Sequence, residues 1–121
     1  MTRALIGTYA RRIWDDLGPG FSERVYHNAM EVCLRKGFLA YETERVIPIT
    51  FEGHTLGNMR ADLIVDQRLI VELKSVRAIK DEHRVQTRLY LKLLGLSEAL
   101  LVNFPTAPAS EPEIEHVSYT I

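Results

Sequence analysis

The strongest constraint on this chain is a hairpin: Arg60-Ala61-Asp62-Leu63-Ile64-Val65 and Leu69-Ile70-Val71-Glu72-Leu73-Lys74, separated by Asp66-Gln67-Arg68. With that turn, Val65 lies opposite Leu69, Leu63 opposite Val71 and Ala61 opposite Leu73, so one side is wholly apolar. The other side carries Ile64 with Ile70, Asp62 with Glu72, and Arg60 with Lys74. Directly opposed carboxylates repel and weaken a sheet. A divalent cation between them would compensate.

The rest of the sequence sets the frame for that hairpin. At 121 residues, 46% hydrophobic and 26% charged, the whole chain reads as a single domain with a modest core. No apolar run is long enough for a bilayer, and the N-terminus lacks a signal-peptide apolar region, so no membrane role is expected. The one cysteine, Cys33, cannot form an internal disulfide or a cysteine-based zinc site; a buried helical thiol in a reducing cytoplasm is expected. A net charge of -1 lends no global support to nucleic-acid binding, which would need local segregation of charge.

Apolar spacing predicts a helix over residues 2–17, through Leu5, Ile6, Tyr9, Ala10, Ile13, Trp14 and Leu17, stopped by Gly18-Pro19-Gly20. A second helix is expected over 22–36, with Val25, Ala29, Val32 and Cys33 inward and Gly37 as its cap. Strands at 42–50 and from 55 flank the turn Glu52-Gly53-His54 and lead into the hairpin. A third helix over 80–94 ends at Gly95; a buried strand at 99–104, a loop at 105–112 and a short edge strand at 115–121 complete the chain. This order predicts an α/β sandwich with a mixed sheet.

Phosphodiester hydrolysis requires charge neutralised at the phosphate and a water activated near neutral pH. Asp62 and Glu72 supply hard oxygen ligands of the kind that suit Mg²⁺ or Mn²⁺, with the Leu73 carbonyl as a further ligand. Lys74, two residues past Glu72, shares that side and could orient or deprotonate the water, or stabilise charge on phosphorus. The competing reading of the same residues is an alternating-charge, solvated sheet face.

The third helix adds context. At about 100° per residue, Val85, Leu89 and Leu93 form one apolar arc, expected to pack, and His83, Gln86 and Tyr90 form a polar arc beside it. Lys80, Arg84, Arg88 and Lys92 form a basic stripe that could track a phosphate backbone. A basic stripe is more commonly plain solvated surface, and a lone histidine or tyrosine is more commonly structural.

Asp62 with Glu72-Leu73-Lys74 resembles the signature of the PD-(D/E)XK nuclease superfamily, and Gln86-Thr87-Arg88-Leu89-Tyr90 resembles the Q-x3-Y element of its RecB-like branch. Gly20-Phe21-Ser22-Glu23-Arg24-Val25-Tyr26 is similar to the G-x-x-E-x-x-Y motif of the small GxxExxY proteins, and the likeness extends to about Phe104. The resemblance implies a restriction-endonuclease-like core, a central mixed sheet flanked by helices. It also implies a role for Glu23, in completing the metal site directly or through water; on composition alone Glu23 is an ordinary first-turn glutamate. It places Gln86 near the water or the phosphate, with Tyr90 and His83 along the same edge. Two departures stand out: Ala61 replaces the usual proline before the aspartate, and Trp14 stands where many relatives carry a histidine near the end of the first helix.

The expected function is a Mg²⁺- or Mn²⁺-dependent nuclease acting on DNA. Asp62 and Glu72 are its metal ligands, Glu23 an auxiliary ligand, Lys74 the base or charge stabiliser, and Gln86 a positioning group. His83, Tyr90, Lys80, Arg84 and Arg88 are the expected substrate contacts. The alternatives are a catalytically silent nucleic-acid-binding or assembly module on the same fold, and a metal-binding protein of other purpose. So small a chain has little surface for a long duplex, which suggests a homodimer.

Overall fold

The computed structural model describes residues 2–106 and 108–120. In chain order the elements are α1 (Thr2–Leu17), α2 (Glu23–Lys36), β1 (Tyr41–Phe51), β2 (His54–Val65), β3 (Leu69–Lys74), α3 (Asp81–Leu94), β4 (Glu98–Asn103) and β5 (Glu113–Ser118). The last expected strand therefore starts two residues earlier than predicted; its final residue, Ile121, and Ala107 of the preceding loop lie outside the described residues.

The five strands form one mixed sheet in the order β1-β2-β3-β4-β5, with β3 and β4 parallel and the other neighbours antiparallel. Parallel neighbours need a crossover, and α3 supplies it. Helices cover both faces. On one, Ile6, Ala10 and Trp14 of α1 and Tyr26, Met30 and Leu34 of α2 pack on Leu63, Val71, Leu73 and Val102. On the other, Tyr90 and Leu91 of α3 pack on Ile64, Ile70, Ala99 and Leu101. β3 and β4 are thus covered on both sides, which is why they read as continuous aliphatic runs. Among the described residues no helix is long and apolar enough to cross a membrane.

Two helices bury a different face from the predicted one. In α2 the buried set is Tyr26, His27, Met30, Cys33 and Leu34, while Val25 and Val32 are exposed. Tyr26 and Met30 carry more apolar surface than the two valines, and Tyr26 also has a stacking partner, Phe104, with ring centroids 4.2 Å apart. In α3 the arc Val85, Leu89 and Leu93 faces outward, and Thr87, Tyr90 and Leu91 face the sheet. Burying Thr87 is inexpensive because its hydroxyl donates to the His83 carbonyl one turn back, at 2.8 Å.

Gly37 also differs from expectation. Its φ is -84°, and Phe38 takes the left-handed conformation that ends α2, at φ 57°. A Cβ on Gly37 would lie 2.2 Å from the Tyr9 hydroxyl oxygen, so glycine serves there for space and not for backbone freedom. Gly95, by contrast, ends α3 in the left-handed conformation, as predicted. Cys33 is buried, and desolvation raises its thiol pKa.

Candidate active site

The hairpin register is the predicted one at Val65–Leu69, Ile64–Ile70 and Leu63–Val71, and there the ladder between β2 and β3 stops. Asp62 and Glu72 do not sit as a ladder pair. Each carboxylate instead takes a backbone N–H of the opposite strand: the Asp62 N–H donates to Glu72 Oε1 at 3.0 Å, and the Leu73 N–H donates to Asp62 Oδ2 at 2.8 Å. The strands part because the acids occupy the place of main-chain bonds, so the expected Ala61–Leu73 pair does not form. On the far side of β2, Glu44 adopts φ 53°, and the β1–β2 ladder resumes at Thr43–Leu63 and Arg45–Ala61 around it. Asp62 thus sits at a break in both ladders. Ala61 turns to the α3 face, packing with Ile47, Ile64 and Tyr90 in place of the Leu63 side.

This break lies where both helical layers reach the sheet. From α2, Glu23, Arg24 and His27 join Asp62 around a cleft of about 140 Å³. From α3, Gln86 accepts a hydrogen bond from Lys74 Nζ at 3.2 Å, which fixes the ammonium at the end of β3. The Tyr90 ring is buried, and its hydroxyl pKa is pushed up to about 12 by desolvation and by the charges of Glu72 and Asp62. The strand end is itself clamped. Asn103 Oδ1 accepts from the Val76 N–H at 2.9 Å, and its Nδ2 donates to the Val76 carbonyl at 3.0 Å and to Glu113 at 2.7 Å.

Electrostatics mark the same spot. Glu72 is 2% exposed, and burial, reinforced by the Asp62 charge, holds its carboxyl well above the usual carboxylate range. Glu23 is raised too, chiefly by desolvation, with the Lys74 charge and the nearby Ser75 backbone N–H opposing and Asp62 adding. Two neighbouring carboxyls of which one is nearly dry form a donor set that a hard divalent cation would suit, since Mg²⁺ commonly takes one or two carboxylates and keeps waters for the rest. Among the described residues no three His, Cys, Asp or Glu side chains converge as a ready metal cluster, although Glu23 shares the small cleft with Asp62.

The remaining predicted substrate contacts are arranged unevenly. His83 Nδ1 accepts the Lys80 N–H at 2.9 Å, so this ring caps the start of α3. Arg84 is held by Glu115 of β5 and by Asp81, so a phosphate would have to compete with two carboxylates for it. Lys80, Arg88 and Lys92 are exposed. Three residues at the site escaped the sequence reading. His27 Nε2 lies 2.9 Å from Thr43 Oγ1 and 3.0 Å from Glu31, and Arg24 pairs with Glu44. The third, Phe21, has its carbonyl held by Ser75 Oγ at 3.2 Å. A signal existed for His27: Glu23, His27 and Glu31 recur at a spacing of four on one helix face. Trp14, at the end of α1, is a core residue stacked on Phe104 at 6.4 Å and takes no part in the site.

A family model described as the PD-(D/E)XK nuclease superfamily matches residues 1–117. No curated protein sequence matches the chain. Among solved structures, the crystal structure of SSO0001 aligns with a TM-score of 0.62 at 23% identity, over 81% of this chain and 50% of that one. A crystal structure described as a candidate exonuclease, from Eubacterium rectale, aligns with a TM-score of 0.48 at 15% identity, over 99% of this chain and 59% of that one. The chain therefore spans roughly half the length of these two structures, and the likeness to the first is one of fold.

Proposed function

Since the chain belongs to the PD-(D/E)XK nuclease superfamily, with that superfamily's restriction-endonuclease-like mixed sheet between helices, we propose that it is a divalent-metal-dependent nuclease acting on DNA. Within the superfamily the reading extends to the GxxExxY group of the RecB-like branch. The observation that carries it is the break in the sheet at Asp62. There two carboxyls, a lysine and a glutamine from three elements meet beside a small cleft.

Asp62 and Glu72 would hold Mg²⁺ or Mn²⁺, which when bound supplies positive charge at the phosphate and a more acidic water. Glu23, which shares the cleft with Asp62, would complete the site as an auxiliary ligand, directly or through water. Its carboxylate, near Lys74 and the Ser75 N–H, would orient the attacking water from the α2 side. Lys74 would stand on the α3 side, its Nζ directed by Gln86, to take a proton from that water as the neutral amine or, as the ammonium, to balance charge developing on phosphorus. The Tyr90 ring and the apolar core beneath it would keep bulk water from the dry side of Glu72. Lys80 and Arg88 would meet the phosphate backbone.

The same reading places the protein in the cytoplasm and pairs it with a second copy. α3 exposes Val85, Leu89 and Leu93, with Asp81 and Glu82 in its first turn and Lys92 in its last, so an antiparallel second α3 would be matched in both apolar surface and sign. Light scattering that finds only monomer in an active preparation would remove the dimer from the account.

The test of function is cleavage of labelled single-stranded, duplex and branched DNA with Mg²⁺, Mn²⁺ or EDTA. Metal-dependent cutting that disappears in Asp62→Ala is the expected result. Failure to cut any substrate with either metal, by a protein that still binds DNA, would favour the silent binding module.

A further inference from the structure

We propose that Phe21 is a stacking platform for an unpaired nucleobase, so that the substrate is single-stranded beside the bond that is cut. This rests on the nuclease reading and adds to it a substrate class and a residue. Phe21 lies two positions before Glu23, and its carbonyl accepts a hydrogen bond from Ser75 Oγ, 3.2 Å away, in the residue that follows Lys74. Ser75 therefore ties the Phe21 main chain through its hydroxyl, and its backbone N–H lies near the Glu23 carboxyl. The Phe21 N–H donates to the Tyr26 hydroxyl at 3.4 Å, and the Phe21 ring meets the Tyr26 ring edge-on, at 6.2 Å and 85°.

The loop that carries Phe21 is fixed on its other side as well. The Gly18 N–H donates to the Trp14 carbonyl at 2.8 Å, and the Tyr26 hydroxyl donates to the Gly18 carbonyl at 2.6 Å. Gly18 and Gly20, at φ 67° and 105°, give the loop a backbone path that is strained for other residues. The result is a residue whose main chain is tied from both sides, with its ring against Tyr26 and still 45% exposed, two positions before Glu23, which lines the charged cleft. Single exposed apolar side chains are common on surfaces. Phe38 and Phe51 are more exposed still, but each lies at a chain turn, whereas Phe21 is tied to the residue adjoining Lys74.

A residue whose main chain is already tied gives up less freedom when a flat partner lands on its ring. In a duplex the faces of the bases are occupied by their neighbours and only the edges are open. An unpaired base offers a whole face, and stacking on an aromatic side chain tolerates any sequence. The chemistry at this ring therefore favours single-stranded DNA, an overhang or a frayed end over closed duplex.

The experiment is equilibrium binding in EDTA at fixed salt, where no cleavage occurs. The probe is a short single strand carrying 2-aminopurine, whose fluorescence is quenched by stacking, and the control is the same strand in a duplex. Wild type should bind the single strand more tightly and quench it. Phe21→Ala should lose about 5- to 100-fold in single-strand affinity, with duplex affinity and melting temperature unchanged. Phe21→Trp should bind and quench like wild type, whereas Phe21→Leu, apolar but without a π-face, should resemble alanine. Equal single-strand affinity in wild type and Phe21→Ala, or a parallel loss on duplex, overturns the platform and leaves the nuclease reading standing. If wild type binds no nucleic acid and cuts none with metal, both fall together.

Discussion

Glu72→Gln is expected to abolish cleavage while raising the melting temperature of the metal-free protein. Glu72 is almost fully buried, and its carboxyl is held well above the usual range by desolvation first and by the Asp62 charge second. A folded-state pKa above the unfolded one means that the folded chain binds more protons in the interval between the two. Stability is then fully present below the ordinary carboxylate range and declines as pH rises through the raised value. Metal-free protein should therefore melt progressively lower as pH rises above the ordinary carboxylate range, near 4. Glutamine keeps an oxygen to accept the Asp62 N–H and presents an amide to the Asp62 carboxylate in place of a second negative charge. Its melting temperature should fall less with rising pH than that of wild type, since Glu23 alone of the two raised carboxyls remains, and lie a few degrees above wild type at pH 8. Cleavage should fall by about 10²–10³-fold or more, as for loss of a main electrostatic group. Added Mn²⁺ should stabilise wild type at pH 8 and leave Glu72→Gln unmoved. A variant destabilised at pH 8 would show Glu72 to be a structural anchor and not a strained ligand.

The largest effect on stability is expected at Tyr26. Its side chain is fully buried, its ring lies parallel to Phe104 at 4.2 Å, and its hydroxyl joins the Gly18 carbonyl to the Phe21 N–H. Tyr26→Ala removes an aromatic body from a packed core, a change that costs about 3–5 kcal/mol. That is a large share of the roughly 5–15 kcal/mol available to a domain. Chemical denaturation should show it as a lower midpoint, with a melting temperature lower by about 10 °C or more. Tyr26→Phe keeps the stack and loses the hydroxyl, at about 1–2 kcal/mol. Its characteristic consequence should be faster amide hydrogen exchange in residues 18–22, because the tether of that loop is gone. If Tyr26→Phe and Tyr26→Ala are equally destabilising, the hydroxyl and not the stack is what matters there.

These two residues also explain why short motifs in this chain were readable. In Gly20-x-x-Glu23-x-x-Tyr26 the glycine takes a φ of 105°, the tyrosine locks the helix start into the core, and the glutamate is thereby placed near Lys74. The spacing encodes a support and the residue it supports. The hairpin was legible for another reason. Alternation fixes which residues share a side, and a short turn fixes register, so Leu63–Val71 was accessible from sequence. The parting of the strands one residue later was not. It depends on acids displacing main-chain bonds, and on Glu44 of β1 leaving the ladder opposite Asp62.

Faces of helices were harder still. α3 carries two sets of candidates at helical spacing, and local periodicity cannot choose between Val85-Leu89-Leu93 and Thr87-Tyr90-Leu91. The choice is made by distant partners: Tyr90 lies near the Glu72 charge, and Leu91 belongs to the core beneath β4. Arg84 is a similar case, since its partner Glu115 is 31 residues away. His27 needed Thr43, brought to it by the sheet.

The most direct test of the central claim separates binding from chemistry at Lys74. Mn²⁺ binding by calorimetry and DNA cleavage would be measured on the same preparations of wild type and Lys74→Ala. Lys74 adds no ligand to Asp62 and Glu72, so both proteins should bind the metal with comparable affinity, and cleavage should drop by about 10²–10³-fold in the variant alone. Undiminished cleavage by Lys74→Ala, with metal bound, would contradict the account.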